Sequence, residues 1–304
     1  MEAPIVQDQV RGNISRIQSE LRVPSATLST GMTTAPPVAL TIAGSDCSSG
    51  AGIQADLKTF QYFHVHGLSA VTCVVSENAR IVRAVHPVPP EIVADQLSLM
   101  LESFPVNAAK TGMLFSTGIV RCVADVFKSH PQVQLIIDPV MIASSGASLL
   151  EDDAVEAYKT LLFPRARLIT PNLPEAETLL GERIPDESSM ESAARRLSGK
   201  FGTAVLLKGG HLETEDCMDL LVDQGELYRF TEKRIVVSGS HGTGCTLSAA
   251  ITAALAQGES LPSAVETAKN YLGEALRHSY EFQATTGETI HALNQGTVPT
   301  KNDA

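Results

Sequence analysis

Short apolar runs alternate with stretches of helical period through most of this chain. Val38 to Ala43 is apolar but for Thr41 and leads into a glycine-rich loop, after which Ile53 to Phe63 reads as a helix. Ser69 to Ser76 is a β-branched run and Ile92 to Phe104 has helical period. Leu135 to Asp138, Leu168 to Thr170 and Ala204 to Lys208 read as further strands with helices between them. Continuous apolar strands belong to sheets covered on both faces, and strands separated by helices pair in parallel. The pattern therefore predicts a doubly wound α/β domain with a mainly parallel sheet. Past Lys208 it changes. Met218 to Val222, Leu227 to Phe230 and Arg234 to Val237 are closely spaced strand candidates, which predict a small β-meander at one sheet edge. Two helices close the domain: Thr243 to Ala256, ending at Gly258, and Pro262 to about Phe282.

The ends of the chain break the alternation. Residues 1–36 read as a mobile tail: Val6 to Val23 carries weak helical periodicity, and a Ser/Thr/Pro-rich linker runs from Pro24 to Pro37. The core domain is expected over 37–284, and 285–304 reads as a frayed C-terminal tail. The first stretch lacks the apolar segment of a secretion signal, and Glu2, Asp8 and Glu20 disfavour a transit peptide. No apolar run reaches the ~18 residues of a membrane span.

Composition narrows the partners. A formal charge of -11 argues against a nucleic-acid surface, which needs a basic patch. The five cysteines, Cys47, Cys73, Cys122, Cys217 and Cys245, are odd in number and form no C-x-x-C pair, so neither a zinc cluster nor a disulfide framework is expected. A reducing, cytoplasmic setting fits them best.

Two glycine-rich elements carry candidate chemistry. Ser240-His241-Gly242-Thr243-Gly244-Cys245 opens onto an alanine-rich helix. The first N–H groups of a helix have no internal partners and its dipole favours negative charge, so this element can form an anion hole; a tight turn before a packed helix would look the same. Gly44-Ser45-Asp46-Cys47-Ser48-Ser49-Gly50-Ala51-Gly52 follows the first strand. No Lys-Ser/Thr follows its last glycine, so it is not a Walker A loop, and its glycine spacing is not that of a dinucleotide fingerprint. A ligand loop and a plain turn remain equally open for it.

In chain order, the segments A43-G-S-D46, G50-AGIQADLKT59, K110-TGML114, D138-PVM141, T170-PNLPEAE177, L207-KGGH211 and H241-GTGCTLS248 resemble the hydroxymethylpyrimidine/phosphomethylpyrimidine kinases of thiamine biosynthesis, in the ribokinase superfamily. The resemblance covers roughly residues 38–283. It implies a ribokinase-like fold, ATP and Mg²⁺ as cofactors, and two successive phosphorylations of 4-amino-5-hydroxymethyl-2-methylpyrimidine. It also implies a small-molecule substrate with neither nucleic acid nor membrane as partner, and a homodimer as the default assembly.

Site residues follow from the same resemblance. Cys245 stands as the base for the substrate hydroxyl, with the helix N-terminus expected to lower its thiol below the usual ~8.5. Gly242, Thr243 and Gly244 supply anion-hole N–H groups, and Lys208 reaches the ATP phosphates. Asp138 and Glu175 are the candidates for holding Mg²⁺, with Asn172 orienting them, although Asn before a helix is also a favoured cap. Gly44, Asp46, Ala51, Glu77, Met113 and Val140 build the ring pocket; Met113 and Val140 can equally be plain core. His211 and His241 flank the phosphate elements as structural groups, and His64 and His66 are spaced wrongly for a helical metal pair. At Glu77 the sequence departs from the glutamine usual in the family, which leaves a pyridoxal or pyridoxine kinase as a rival reading. A catalytically inactive ligand sensor on the same fold is the alternative of another class; the complete set Lys208, Asp138, Glu175 and Cys245 speaks against it.

Overall fold

The structure, a computed structural model, describes residues 35–141, 154–212, 215–237 and 239–296. The predicted tail over 1–36 therefore lies, but for its last two residues, outside the described residues. Pro36 onward forms one compact unit.

The described elements begin with β1 (Val38–Asp46), α1 (Gly52–Tyr62), β2 (His66–Asn78), β3 (Ile81–Pro87), α2 (Pro90–Ser103), β4 (Val106–Thr111) and α3 (Thr117–Lys128). They continue with β5 (Gln134–Ile137), a helical turn α4 (Ala154–Ala157), β6 (Leu168–Ile169), α5 (Leu173–Leu180), α6 (Glu187–Phe201) and β7 (Ala204–Lys208). The chain closes through β8 (Asp216–Asp223), β9 (Glu226–Lys233), α7 (Thr243–Ala256), α8 (Leu261–Arg277), β10 (Tyr280–Gln283) and β11 (Thr289–Ala292). Among the described residues, β1 to β9 form one sheet in the order β3-β2-β1-β4-β5-β6-β7-β8-β9. Pairing is parallel from β2 through β7 and antiparallel at β3, β8 and β9, which confirms the predicted doubly wound α/β sheet.

Side chains alternate across the sheet, and the two faces pack separate cores. Leu40, Ile42, Leu135 and Ile137 join one cluster with Leu97, Val123 and Phe127 of the helices α2 and α3. Ala39, Ala108, Ile136 and Leu206 point the other way, into a cluster with Phe60 of α1, the alanines of α7, and Val265 and Ala268 of α8. Every residue of α7 from Thr246 to Ala256 is buried. Small side chains let this helix lie close against the sheet, so its N-terminus is fixed relative to the ends of β4, β5 and β7.

Several elements depart from the pattern reading. The stretch between Phe104 and Leu135 holds β4 and α3, of which the pattern does not predict β4 because Asn107 and Lys110 interrupt its apolar run. The edge strand β3 is largely exposed and carries little hydrophobic signal. Arg234 to Val237 is not a strand: the β8–β9 ladder ends at the Asp216–Lys233 pair, the Arg234 N–H donates once more to the Glu215 carbonyl, and Val236 beyond it is 91% exposed. The last helix stops at Arg277 rather than near Phe282, and Tyr280–Gln283 instead pairs with Thr289–Ala292 as a hairpin.

The expected fraying past Thr285 does not occur over the described part of that stretch. Leu293, Asn294 and Gln295 are buried. Gln295 Nε2 donates to the Gly50 carbonyl and to Thr246 Oγ1, both at 3.0 Å, and Tyr271 Oη donates to the Gln295 carbonyl at 2.8 Å. Ending the chain after Ala292 removes these bonds and the buried Leu293 side chain, each worth about 1–2 kcal/mol. The truncated protein is expected to melt at least ~5 °C lower in a thermal scan, and an unchanged melting temperature would show that this segment does not brace the loop.

Candidate active site

The glycine-rich loop after β1 is folded around one carboxylate. Asp46 is 2% exposed and accepts hydrogen bonds from the backbone N–H groups of Ser48 (2.7 Å), Gly50 (3.1 Å) and Ala51 (2.8 Å) and from the Ser48 hydroxyl (3.0 Å). His241 Nε2, from the second glycine-rich loop, lies 3.0 Å from its Oδ2. Burial alone would raise this carboxyl, but the bonds from His241, Ser48 and Ala51 overturn that and hold it at about 2.

Glycine is required where the two loops meet. Gly242 caps α7 with φ 83°, and a Cβ there would stand 1.9 Å from the Gly50 carbonyl oxygen. Gly52 begins α1 with a positive φ, and its missing Cβ would sit 2.4 Å from the Gly44 carbonyl. No other residue permits these backbone approaches.

The start of α7 has the geometry of an anion-binding end. Thr243 closes a turn, its N–H and Oγ1 both donating to the Ser240 carbonyl. Gly244 and Cys245 follow at positions whose N–H groups have no partner within a helix. Lys208, at the end of β7, stands directly over them: a Cβ at Gly244 would lie 3.4 Å from Lys208 Nζ and 3.6 Å from Asp138 Oδ2. A lysine ammonium and a helix N-terminus thus converge on one point, where an oxyanion is favoured twice over.

The carboxylates around that point are buried, and Lys208 is largely so. Lys208 Nζ donates to Asp138 Oδ1 at 3.0 Å, and Thr170 Oγ1 donates to the same oxygen at 3.1 Å. Burial disfavours the Lys208 charge, yet Asp138 and Glu175 outweigh it and raise its proton affinity. Burial likewise pushes Asp138 up, and Lys208 and Lys110 bring it below the ordinary carboxylate value. Glu175 goes the other way, raised by burial and by Asp138 against the pull of Lys208. Asn172 and Glu175 form a reciprocal cap on α5, Asn172 Oδ1 accepting from the Glu175 N–H (2.9 Å) and Glu175 Oε2 from the Asn172 N–H (2.8 Å). The capping role weighed for Asn172 is therefore real, and it fixes Glu175 beside Lys208.

These groups line one cavity of about 840 Å³. Of the residues singled out from the sequence, Gly44, Ala51, Glu77, Met113, Val140, Asp138, Asn172, Glu175, Lys208, Gly242, Thr243, Gly244 and Cys245 all border it, and so do His211 and His241. Asp46 is the exception. Its carboxylate is spent inside the loop, so it shapes the wall rather than touching a ligand. Glu77 is half-buried, and burial and Asp46 raise its carboxyl while His241 opposes them. The expectation for Cys245 is also corrected in sign: burial pushes the thiol up to about 11, against the pull of Lys110.

Two buried ion pairs escaped the sequence reading. Lys110 Nζ donates to Asp56 Oδ1 at 2.7 Å, and Lys269 Nζ donates to Asp219 Oδ2 at 2.8 Å while the Gly209 N–H donates to Asp219 Oδ1. Asp219 and Lys269 also border the cavity. The available signal was a lysine inside an otherwise buried strand or helix face, which an apolar-run reading passes over as a break.

The phosphomethylpyrimidine kinase family model matches residues 46–290. The chain belongs to this family. A Haemophilus influenzae hydroxymethylpyrimidine/phosphomethylpyrimidine kinase is 44% identical, over 83% of this chain and 95% of that protein. A bifunctional thiamine biosynthesis protein of Geobacter sulfurreducens is 45% identical over 84% of this chain, which spans about half (52%) of that relative's length. Among solved structures, a Staphylococcus aureus pyridoxal kinase in complex with ADP superposes with a TM-score of 0.78 at 34% identity, covering 86% of this chain and 94% of that one. This chain and that pyridoxal kinase thus share a fold. Among the described residues no cluster of three or more His, Cys, Asp or Glu could hold a metal ion, and no helix is long and apolar enough to cross a membrane.

The Asp46 geometry yields a pH prediction. Its carboxyl lies below the ordinary 3.8, at about 2, so its contribution is complete above pH ~4 and fades as pH falls towards 2, amounting to roughly 2 kcal/mol. Asp46→Asn should lower urea stability by about that amount, with a constant deficit from pH 7 to 4 that shrinks below it. A deficit that persists unchanged at pH 3 would assign the loss to packing instead.

Proposed function

We propose that this chain transfers the γ-phosphoryl group of ATP to the hydroxymethyl group of 4-amino-5-hydroxymethyl-2-methylpyrimidine, and then phosphorylates the monophosphate to the diphosphate. The observation that carries the reading is the convergence of Lys208, the start of α7 and Cys245 on one point of the cavity. Phosphoryl transfer asks chiefly for positioning and for charge stabilisation on the transferring group. The Gly244 and Cys245 N–H groups and the Lys208 ammonium supply that stabilisation.

The ring sits between Met113 and Val140, against Gly44 and Ala51, with Glu77 at its polar edge. The thiolate form of Cys245 takes the proton of the acceptor hydroxyl as the hydroxyl oxygen bonds to the γ-phosphorus, while the bond from phosphorus to the β–γ bridging oxygen breaks and ADP leaves with its electron pair. Asp138 and Glu175 suit Mg²⁺, an ion that takes few protein carboxylates and completes its shell with phosphate oxygens and water. Bound there, the ion would neutralise phosphate charge, and Lys208 would exchange its bond to Asp138 for the phosphates.

The deciding assay couples ADP release to a spectroscopic signal with hydroxymethylpyrimidine, its monophosphate and pyridoxal as separate acceptors. Turnover with the first two and little with pyridoxal is expected; turnover with pyridoxal alone would favour the rival substrate, which the likeness to pyridoxal kinase structures also supports. Cys245→Ala should lower kcat at least tenfold with ATP affinity nearly unchanged, since a general base contributes ~10²–10⁴-fold. Full activity in that variant would leave positioning alone to carry the reaction.

Glu77 deepens the substrate choice. An ionised carboxylate only accepts hydrogen bonds, so it pairs best with an aminopyrimidine protonated on the adjacent ring nitrogen. The KM for hydroxymethylpyrimidine should then rise as pH climbs past the bound ring's pKa, and Glu77→Gln should flatten that dependence. Flat, identical profiles for both proteins would rule the pairing out.

A further inference from the structure

The buried pair Asp219–Lys269 takes no part in the reading above, although both residues border the cavity. Asp219 lies on β8 and Lys269 on α8, and each side chain is 8% exposed. Lys269 Nζ donates to Asp219 Oδ2 at 2.8 Å and to the Cys217 carbonyl at 3.1 Å. Burying an ion pair strips water from both charges, and apolar side chains of similar volume often hold a core as firmly. Stability alone therefore does not account for the pair, and the other oxygen of the carboxylate points to what does.

The β7–β8 pairing ends at Lys208, opposite Asp219. The next N–H along the chain, that of Gly209, donates to Asp219 Oδ1 at 2.9 Å. Here the backbone passes so near β8 that a Cβ on residue 209 would stand 2.0 Å from the Met218 carbonyl oxygen. A buried N–H needs a partner, and just past the last ladder pair that partner is a side chain. On its other side, the Lys208 N–H donates to the Pro171 carbonyl at 2.9 Å. The peptides before and after Lys208 are thus both held, which fixes the direction of its Cα–Cβ bond. Its ammonium accordingly reaches Asp138 Oδ1 at 3.0 Å and stands over Gly244.

We propose that Asp219 is a positioning residue for Lys208: its carboxylate holds the Lys208–Gly209 peptide and so aims the ammonium at the start of α7. The proposal rests on the phosphotransfer reading, in which Lys208 meets the ATP phosphates. Lys269 acts through Asp219 and not on the ligand. A buried carboxylate without a countercharge is costly, and Lys269 supplies that charge from α8 while its bond to the Cys217 carbonyl keeps it in place. The hold on Gly209 needs only an acceptor oxygen, so an amide at position 219 can serve in place of the carboxylate once Lys269 is also neutral.

Two double variants separate the acceptor from the charge, and neither leaves a lone charge buried. Asp219→Asn with Lys269→Met keeps an oxygen for the Gly209 N–H, whereas Asp219→Leu with Lys269→Met keeps the branched shape and removes the oxygen. Calorimetric titration with ATP and with adenosine is the first readout. The leucine variant should bind ATP about tenfold or more weakly than the unmodified protein, the scale of a lost charge-assisted contact, with adenosine affinity little changed. The asparagine variant should recover most of the ATP affinity. Hydrogen exchange at the Gly209 amide reads the hold on the backbone without any ligand: it should quicken in the leucine variant and stay slow in the asparagine variant. Equal ATP affinities in the two variants, a parallel loss for adenosine, or equal Gly209 exchange would each overturn the proposal. Should circular dichroism show the leucine variant unfolded, Asp219→Ala with Lys269→Met carries the same expectation. Failure of the unmodified protein to bind ATP would instead refute the kinase reading, and the exchange comparison would still decide whether Asp219 holds the peptide.

Discussion

The contact between the Gly50 carbonyl and the backbone of Gly242 is the constraint on which the site depends. It admits no side chain at position 242, and it joins the loop after the first strand to the loop before the most buried helix. Asp46 and His241 lock the junction from inside, and Gln295 braces it from beneath. Once the loops are joined, the start of α7 has one available placement, at the carboxyl ends of the parallel strands. That is where open α/β sheets collect their ligands.

Charge is then sorted by depth. Lys208 and Asp138 lie on the cavity wall, and Lys110 and Asp56 lie behind it. In a medium of low polarity each cation acts over a longer range than it would in water. A modest number of buried charges can therefore set the proton affinities of a whole site, and an overall acidic protein can present a local oxyanion hole.

Much of this was legible in the sequence. The strands β1, β5 and β7 are apolar on both faces and announce a covered parallel sheet, and the ordered motifs from Gly44 to Ser248 placed thirteen of the fourteen named site residues on one cavity. What escaped was set by tertiary context. Asp46 sits between two cavity residues in sequence, yet its carboxylate turns inward because several loop N–H groups converge on it. Cys245 occupies a helix start, which lowers a thiol in water-exposed settings, but here burial dominates and reverses the direction. Lys110 breaks an apolar strand because its partner Asp56 is distant in sequence, on α1. The hairpin β10–β11 has no hydrophobic pattern of its own, since its exposed Tyr280 and Phe282 are not part of either core.

The bracing of the first glycine loop by Gln295 also bears on the order of events in synthesis. The loop after β1 leaves the ribosome early, and every strand of the main sheet is complete before residue 295 is added. A nascent chain can thus assemble its sheet and both hydrophobic cores while the loop after β1 is still untethered. The first glycine loop is tied down by the last described stretch to emerge, so assembly of the sheet and bracing of that loop are separate moments in the life of the chain.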